Sequence, residues 1–328
     1  MFPFAIRRVL ISIPILLASS FFAYCLTYIS ADPVKRLYEG RNPPPPAATI
    51  AADRHRLWLD KSFLDQYWTW LKNLVTTGSF GPSIDSSASI GHDLATKLLV
   101  TARLVAAAMI IALILATLTG VLSAVRQYSN LDYAFTLLGF LFLSMPAFWI
   151  AVLLKQGAIT YNDATGSRFI GTLFERSPDP KPGFWEVAAD ITGHLILPTM
   201  SLALITYAAW SRFQRGSMLE VLNSDYIRLA RAKGLRPRRV MVRHALRTAL
   251  IPMTTVSALT IAGILGGAII TETVFNWNGM GLYIIGKIGQ QDRWAIQGWL
   301  VVTGFIVIMG NLVADLLYAV LDPRIRYE

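Results

Sequence analysis

Few side chains in this sequence could carry chemistry. Cys25 is the single cysteine, which excludes an intrachain disulfide and any zinc site built on several cysteines. His55, His92, His194 and His244 show neither His-x-x-x-His nor His-Glu-x-x-His spacing, so no metal site is predicted. Gly281 to Lys287 matches the first part of a phosphate-binding loop, but Ile288 follows where magnesium needs a hydroxyl, and no strand pattern precedes it. No Gly-x-Ser-x-Gly elbow is present, which leaves hydrolytic nucleophile chemistry without a visible home. Glu272 stands at the end of a long apolar run. A carboxylate at a membrane edge is expected to be functional, as an attractor for an ammonium group or as half of a salt bridge.

The elements that position these residues are apolar. The chain has 328 residues, 54% apolar and 15% charged, with a mean hydropathy of +0.48, whereas soluble domains carry about 25% charged residues. A bilayer core needs about 20 residues of helix, and charge inside it is costly. Six charge-free intervals satisfy this: Val9 to Ala31, Leu104 to Val125, Tyr133 to Leu154, Ile191 to Ser211, Thr248 to Thr271 and Trp294 to Ala314. They predict an all-α membrane protein with six transmembrane helices. The first interval follows Arg7 and Arg8 but is too long for a signal-peptide core and lacks a clear cleavage site, so it is predicted to be a retained span. Segments 1–8, 126–132, 212–247 and 315–328 hold 15 Lys and Arg against 6 Asp and Glu, and the rest of the chain holds 15 against 14. The basic side, with both termini, is predicted to be cytoplasmic. That asymmetry accounts for the net charge of +10 without nucleic acid.

On the opposite side, residues 32–103 form a long loop. Pro43 to Pro46 predicts a stiff polyproline II spacer. Phe63, Leu64, Tyr67, Trp68, Leu71, Leu74 and Val75 then recur at helical spacing, with Asp60, Lys61, Asp65, Gln66 and Lys72 elsewhere on the wheel. This amphipathic helix either packs on the outer ends of the spans or docks a partner, and Trp58, Tyr67, Trp68 and Trp70 suit a membrane interface. Lys155 to Asp190, rich in turn formers that include Pro178, Pro180 and Pro182, reads as an irregular cap. Glu272 to Arg293 carries Gly279, Gly281, Gly286 and Gly289, which allow tight bends or re-entry into the membrane surface.

Arg212 to Arg247, on the basic side, is the informative loop. Asn223 or Ser224 suits a helix start, Asp225 suits the positive end of its dipole, and Tyr226 to Lys233 favours helix. Gly234 supplies the stop, with Pro237 soon after and a second helix from about Arg238 into the fifth span. Tyr226, Leu229, Ala230 and Lys233 form one stripe, flanked by Arg228 and Arg231. Such a segment either binds anionic headgroups or fits a groove on another protein.

Asp225-Tyr-Ile-Arg-Leu-Ala-Arg-Ala-Lys-Gly-Leu235, followed by His244 to Pro252, resembles the EAA loop of ABC importer permeases in its dipeptide and oligopeptide form. The resemblance continues through Ser144 to Phe148, His194 to Pro198, Gly266-Gly267, Glu272 to Phe275, Trp277, Gly279, Gly281-Leu282, Gln291-Asp292, Asp315 to Tyr318 and Asp322-Pro323-Arg324. It fits the B-type permease subunit. Asp225-Tyr226 replaces the general Glu-Ala-Ala opening, and Asn278 stands where proline is common.

The resemblance implies a type I ABC importer permease fold in a bacterial inner membrane, divided into residues 1–31, 32–103 and 104–328. It implies a non-catalytic, cofactor-free subunit that forms half of a peptide path. The implied partners are a second homologous permease, ATP-binding subunits and an extracytoplasmic substrate-binding protein. Asp225, Tyr226, Ile227, Ala230, Arg231, Ala232, Lys233, Gly234 and Leu235 would form the helix that couples to the ATPase. Candidates to line the path are Ser144, Pro146, Thr199, Ser201, Thr206, Thr254, Thr255, Ser257, Thr260 and Glu272. The alternative for the small polar residues is helix packing, as for Gly263 and Gly267 in GxxxG spacing. Relatives for nickel chelates, haem or glutathione leave the substrate open. An ion-coupled secondary transporter would call for central charges or repeated halves, which the spans lack.

Overall fold

The computed structural model describes residues 2–30, 32–85, 89–167, 169–179 and 182–321. The Asp322-Pro323-Arg324 motif and Pro180 lie outside the described residues, as do the side chains of Leu317 and Tyr318. Fourteen α-helices are present among the described residues: α1 (Phe2–Ser30), α2 (Pro33–Tyr38), α3 (Ala47–Arg56), α4 (Phe63–Thr77), α5 (Ile90–Val125), α6 (Asn130–Ser144), α7 (Ala147–Thr165), α8 (Phe184–Leu222), α9 (Asp225–Ala232), α10 (Pro237–Arg239), α11 (Arg247–Leu265), α12 (Ile269–Phe275), α13 (Met280–Gln290) and α14 (Arg293–Leu321). A π-helical segment, Val240–Leu246, joins α10 to α11. No strand occurs among them. The fold is all-α, as the charge-free intervals predict.

Helices α1, α5, α8, the run from α10 through α11, and α14 are long and apolar enough to cross a membrane, and α6 with α7 forms a sixth, broken span. The break corrects the expected continuous third span. Met145 is extended at φ −82°, ψ 133° and Pro146 opens α7. Proline disfavours helical geometry at the residue before it, and here α7 turns 105° from α6. The fifth interval is also interrupted. It is charge-free to Thr271, yet α11 stops at Leu265. Gly267 adopts φ +140°, and a Cβ there would stand 2.6 Å from the Gly281 backbone nitrogen. Only glycine fits that approach.

The core forms between α5 and α8, where Leu104, Val105, Ala108, Ala112 and Ala116 meet Leu202, Ala203, Tyr207 and Trp210. Helix α14 packs along α11 through close approach of Gly310 to Ala262 and of Gly266 to Thr303, whereas a Cβ on Gly263 would meet nothing. The expected GxxxG pair is therefore not the contact. The loop expected to be irregular from Lys155 to Asp190 is helical at both ends, to Thr165 and from Phe184. Gly166, in left-handed conformation at φ 67°, stops α7.

Residues 33–85, the cap, gather α2, α3 and α4 over the C-terminal end of α1 and the N-terminal ends of α5 and α14. Pro46, at φ −56° and ψ 144°, has polyproline II geometry and leads directly into α3. Helix α4 confirms the amphipathic segment but corrects its faces. Tyr67, Trp70 and the polar Gln66 are buried, while Leu64, Trp68 and Val75 are exposed. Gln66 goes inward because it is fully used: it donates to Lys61 O at 2.9 Å and accepts from Arg293 at 2.8 Å. In the cap's lower region, the Tyr38 hydroxyl donates to Asp53. That bond, with help from Arg56, holds the Asp53 carboxyl below the ordinary carboxylate range.

Candidate functional site at the α9 end and its counterpart

Helix α9 is short, and its sequence defines both ends. Asn223 closes α8, and Ser224, extended at φ −71° and ψ 152°, opens α9. The Ser224 hydroxyl donates back to Val221 O at 2.5 Å and does not cap α9, as its residue type suggested. At the far end, Gly234 sits at φ +73°. Its N–H donates to Arg231 O at 2.9 Å and that of Leu235 to Ala230 O at 3.4 Å, the paired bonds of a Schellman stop. A Cβ on Gly234 would meet nothing within 4 Å. The glycine is therefore required by backbone conformation, not by a neighbour.

Two faces of α9 separate cleanly. Ile227 and Ala230 are buried against Met218, Val240, Ala245 and Ala249, with Leu235 packed at the edge. Tyr226 is 43% and Leu229 55% exposed, and Asp225, Arg228, Arg231, Ala232, Lys233 and Gly234 are exposed around them. Of the nine residues predicted to contact a partner, Ile227 and Ala230 instead fasten the helix to its own chain. The expected stripe Tyr226, Leu229, Ala230, Lys233 is likewise split. Leu222 ends α8, so the first third of the predicted loop is helix and carries α9 away from the helix bundle.

Behind this segment lies a brace that residue pattern did not reveal. Asp132, buried at the start of α6, accepts two bonds from Arg215 of α8, Nε to Oδ1 and Nη2 to Oδ2, each at 2.8 Å. The Tyr128 N–H adds a third at 2.9 Å and the Ser123 hydroxyl of α5 a fourth. A fork of this kind fixes geometry as well as charge, and it ties α5, α6 and α8 together.

At the opposite end, Glu272 is fully buried and corrects the expectation of a charge at the mouth. It accepts from the Thr101 hydroxyl at 2.7 Å, the Gly281 N–H at 2.7 Å and the Leu282 N–H at 3.0 Å. It thus satisfies the free N–H groups that open α13, and no salt bridge is formed among the described residues. The phosphate-loop lookalike Gly281 to Lys287 is the body of helix α13, with its first N–H committed to Glu272. Burial pushes the Tyr283 phenol on the same helix above its ordinary value.

Helix α14 begins with a row of anchors. Asp292 accepts from the Ser83 hydroxyl at 2.7 Å and the Ile84 N–H at 3.2 Å. Arg293 reaches Gln66 and stacks over Tyr28. Trp294 donates to Leu57 O at 3.0 Å and stacks on Tyr24. Gln297 donates to Ser20 O at 2.7 Å. Little in the local sequence marks these roles, because the partners on the cap and on α1 lie more than 200 positions away.

The small polar residues considered for a water-lined path are mostly engaged otherwise. Thr199, Ser201, Thr206 and Ser257 are buried, and the hydroxyls of Thr206, Thr254, Ser257 and Thr260 bond to carbonyls three or four residues back. Thr255 is half-buried. The hydroxyls of Thr199, Ser201 and Thr255 are enclosed without a hydrogen-bond partner among the described residues. Ser144 and Pro146, at the α6–α7 bend, are exposed.

Comparison with known proteins decides the family. Residues 116–327 match the model of the binding-protein-dependent transport system inner membrane component, and residues 1–107 match the model of that family's N-terminal part. The chain belongs to this family. It is a multi-pass inner membrane component of a transport system, and its role is that of a transport subunit. Similar relatives of this inner membrane component extend over essentially its whole length. It is 40% identical over 320 residues to the oligopeptide transport system permease protein OppB of Mycobacterium tuberculosis, covering 98% of each chain. To the oligopeptide permease protein AppB of Bacillus subtilis it is 34% identical, covering 99% of each, and to the di/tripeptide permease protein DppB of Pseudomonas aeruginosa 34%, covering 100% of each.

Proposed function

We propose that this chain is one of two homologous permeases enclosing the path of an ATP-driven importer of dipeptides or oligopeptides, with both termini and α9 in the cytoplasm. Three pieces divide the work: the first span (1–31), the extracytoplasmic part (32–103) and the five-span core (104–328). An extracytoplasmic binding protein delivers the peptide, and partner ATPases supply the hydrolysis. The peptide class rests on the relatives named oligopeptide and di/tripeptide permeases.

The observation that carries the coupling role is the division of α9. Ile227 and Ala230 bolt the helix to the ends of α8 and α11, while Tyr226 and Leu229 stand exposed among charges. Exposed large apolar side chains on a rigid, capped helix are the kind of anchors a partner's groove accepts. Movement of a partner pressing there is passed directly to the spans. The exposed α6–α7 bend, with Ser144 and Pro146, faces the second permease and lines the path.

Gly234→Asp tests the coupling. The site has room for the side chain, and left-handed geometry costs a non-glycine residue about 1–2 kcal/mol, so the protein inserts and assembles. Peptide uptake into vesicles is expected to fall while ATP hydrolysis by the complex persists. Undiminished uptake by the variant would defeat the proposal.

A further inference from the structure

Helix α4 has three faces, not two. One face, with Tyr67, Trp70 and Gln66, is buried against the protein. A second carries Ser62, Asp65, Thr69, Lys72 and Thr76, the polar residues. The third is a column at i, i+4, i+7 and i+11, Leu64, Trp68, Leu71 and Val75, which align on a helix of about 3.6 residues per turn. Leu71 is half-buried, but Leu64 is 64%, Trp68 66% and Val75 78% exposed. A helix in water does not need such a column, and one sunk in hydrocarbon could not keep Asp65 and Lys72.

The depth of α4 follows from its contacts with α1, a membrane span. Phe63 packs edge-on against Tyr28 near the outer end. The Tyr67 hydroxyl is 2.8 Å from that of Ser20 and 3.4 Å from Leu17 O. Ser20 is nine residues inside Ile29, the end of the apolar stretch, or about 14 Å along the helix at about 1.5 Å per residue. Leu17 and Phe21, beside the contact with α4, and Phe22, Leu26 and Ile29, elsewhere on α1, are exposed apolar residues.

We infer that α4 is an amphipathic helix seated in the outer leaflet, with Leu64, Trp68 and Val75 against lipid acyl chains and Lys72 reaching the headgroups. Helices with this division bury their apolar face among acyl chains and keep their polar face toward the headgroups. Long basic side chains at that level extend their charge outward. The cap is thereby held both by its own chain and by the bilayer. The inference rests on the proposed orientation, in which α1 spans the membrane with its N-terminus in the cytoplasm, and stands apart from the identity of the transported substrate.

Nitroxide labels test it. In a Cys25→Ser background, Leu64→Cys, Trp68→Cys, Val75→Cys and, as a polar control, Thr76→Cys are labelled in the full-length protein, assembled and reconstituted in liposomes. Collision with oxygen, which concentrates in acyl chains, is compared with collision with a water-soluble nickel chelate. At positions 64, 68 and 75 oxygen collisions are expected to exceed nickel collisions severalfold, with the order reversed at 76. Nickel dominance at the three positions would show a solvated face and overturn the inference. Protection from both reagents would show a protein cover, either a second permease or a binding protein, and overturn it equally.

Discussion

The cap and the α9 segment are both built of short helices attached to long ones, and they are attached in opposite ways. The cap is fastened by buried polar and aromatic groups: Asp292 pairs with Ser83 and Ile84, Arg293 with Gln66, and Trp294 with Leu57 O. The α9 segment is fastened by aliphatic contact alone, through Ile227, Ala230 and Leu235. Its charges, including the Asp225–Arg228 pair, are exposed. Hydrogen-bonded networks of buried groups specify one geometry and penalise every other. Aliphatic packing tolerates small rearrangement more readily, and an exposed surface is left for something else to cover. The first attachment suits a fixed platform, the second a lever.

The comparison breaks most severely at Asp292. Removing a fully buried carboxylate that also lies 3.5 Å from Lys287 leaves its donors unpaired, which costs about 3 kcal/mol. Asp292→Ala is therefore expected to lower thermal stability and expose the cap to protease, as read by unfolding in detergent and limited proteolysis. A stable, protease-resistant variant would mean that the cap does not depend on the start of α14.

The α9 segment should behave in reverse. Leu229→Asp changes an exposed position, so folding stability is expected to shift by no more than about 0.5 kcal/mol. Peptide uptake should nevertheless fall about tenfold, equivalent to about 1.4 kcal/mol of lost coupling. Parallel loss of stability and uptake would erase the distinction between platform and lever. In the same comparison, Ile227→Ala opens a cavity and is expected to cost about 2 kcal/mol or more in stability, which thermal unfolding would register alongside the loss of uptake.

The smallest effect concerns pH. The Asp53 carboxyl is held below its ordinary value by the Tyr38 hydroxyl and then by Arg56. A group depressed on folding stabilises the fold above its unfolded value, about 3.9 for aspartate, and loses that contribution as pH falls through the lower folded value. Cap stability should therefore soften below about pH 4, and Asp53→Asn should remove this part of the dependence. An unchanged acid profile in the variant would assign the softening to other carboxylates.

Much of the architecture was legible because it depends on local rules. Runs of apolar residues long enough to cross a bilayer had to become helices, since backbone groups in lipid must bond within their own segment. Gly234 two residues after Ala232 announced the Schellman stop, because few other residues hold a positive φ without strain. Less was legible at the site. Tyr226 and Leu229 are exposed while Ile227 and Ala230 are buried, although all four are apolar and close in sequence, and only the packing of α8, the π-helical segment and the start of α11 against the helix distinguishes them.

Helix existence and the stop of α9 at Gly234 were set by the order of residues alone, through hydrophobic length and backbone sterics that act over a few positions. The tertiary structure decided the fate of individual charges. It turned Glu272 from a residue at the mouth into a brace for α13, made Asp292, Arg293 and Trp294 the fastening of the cap, and divided α4 into three faces. The physical reason is distance along the chain. Whether a carboxylate meets water, a cation or a backbone N–H depends on atoms supplied by remote segments, such as Thr101 for Glu272 and Ser83 for Asp292, and those neighbours exist only once the helices have packed.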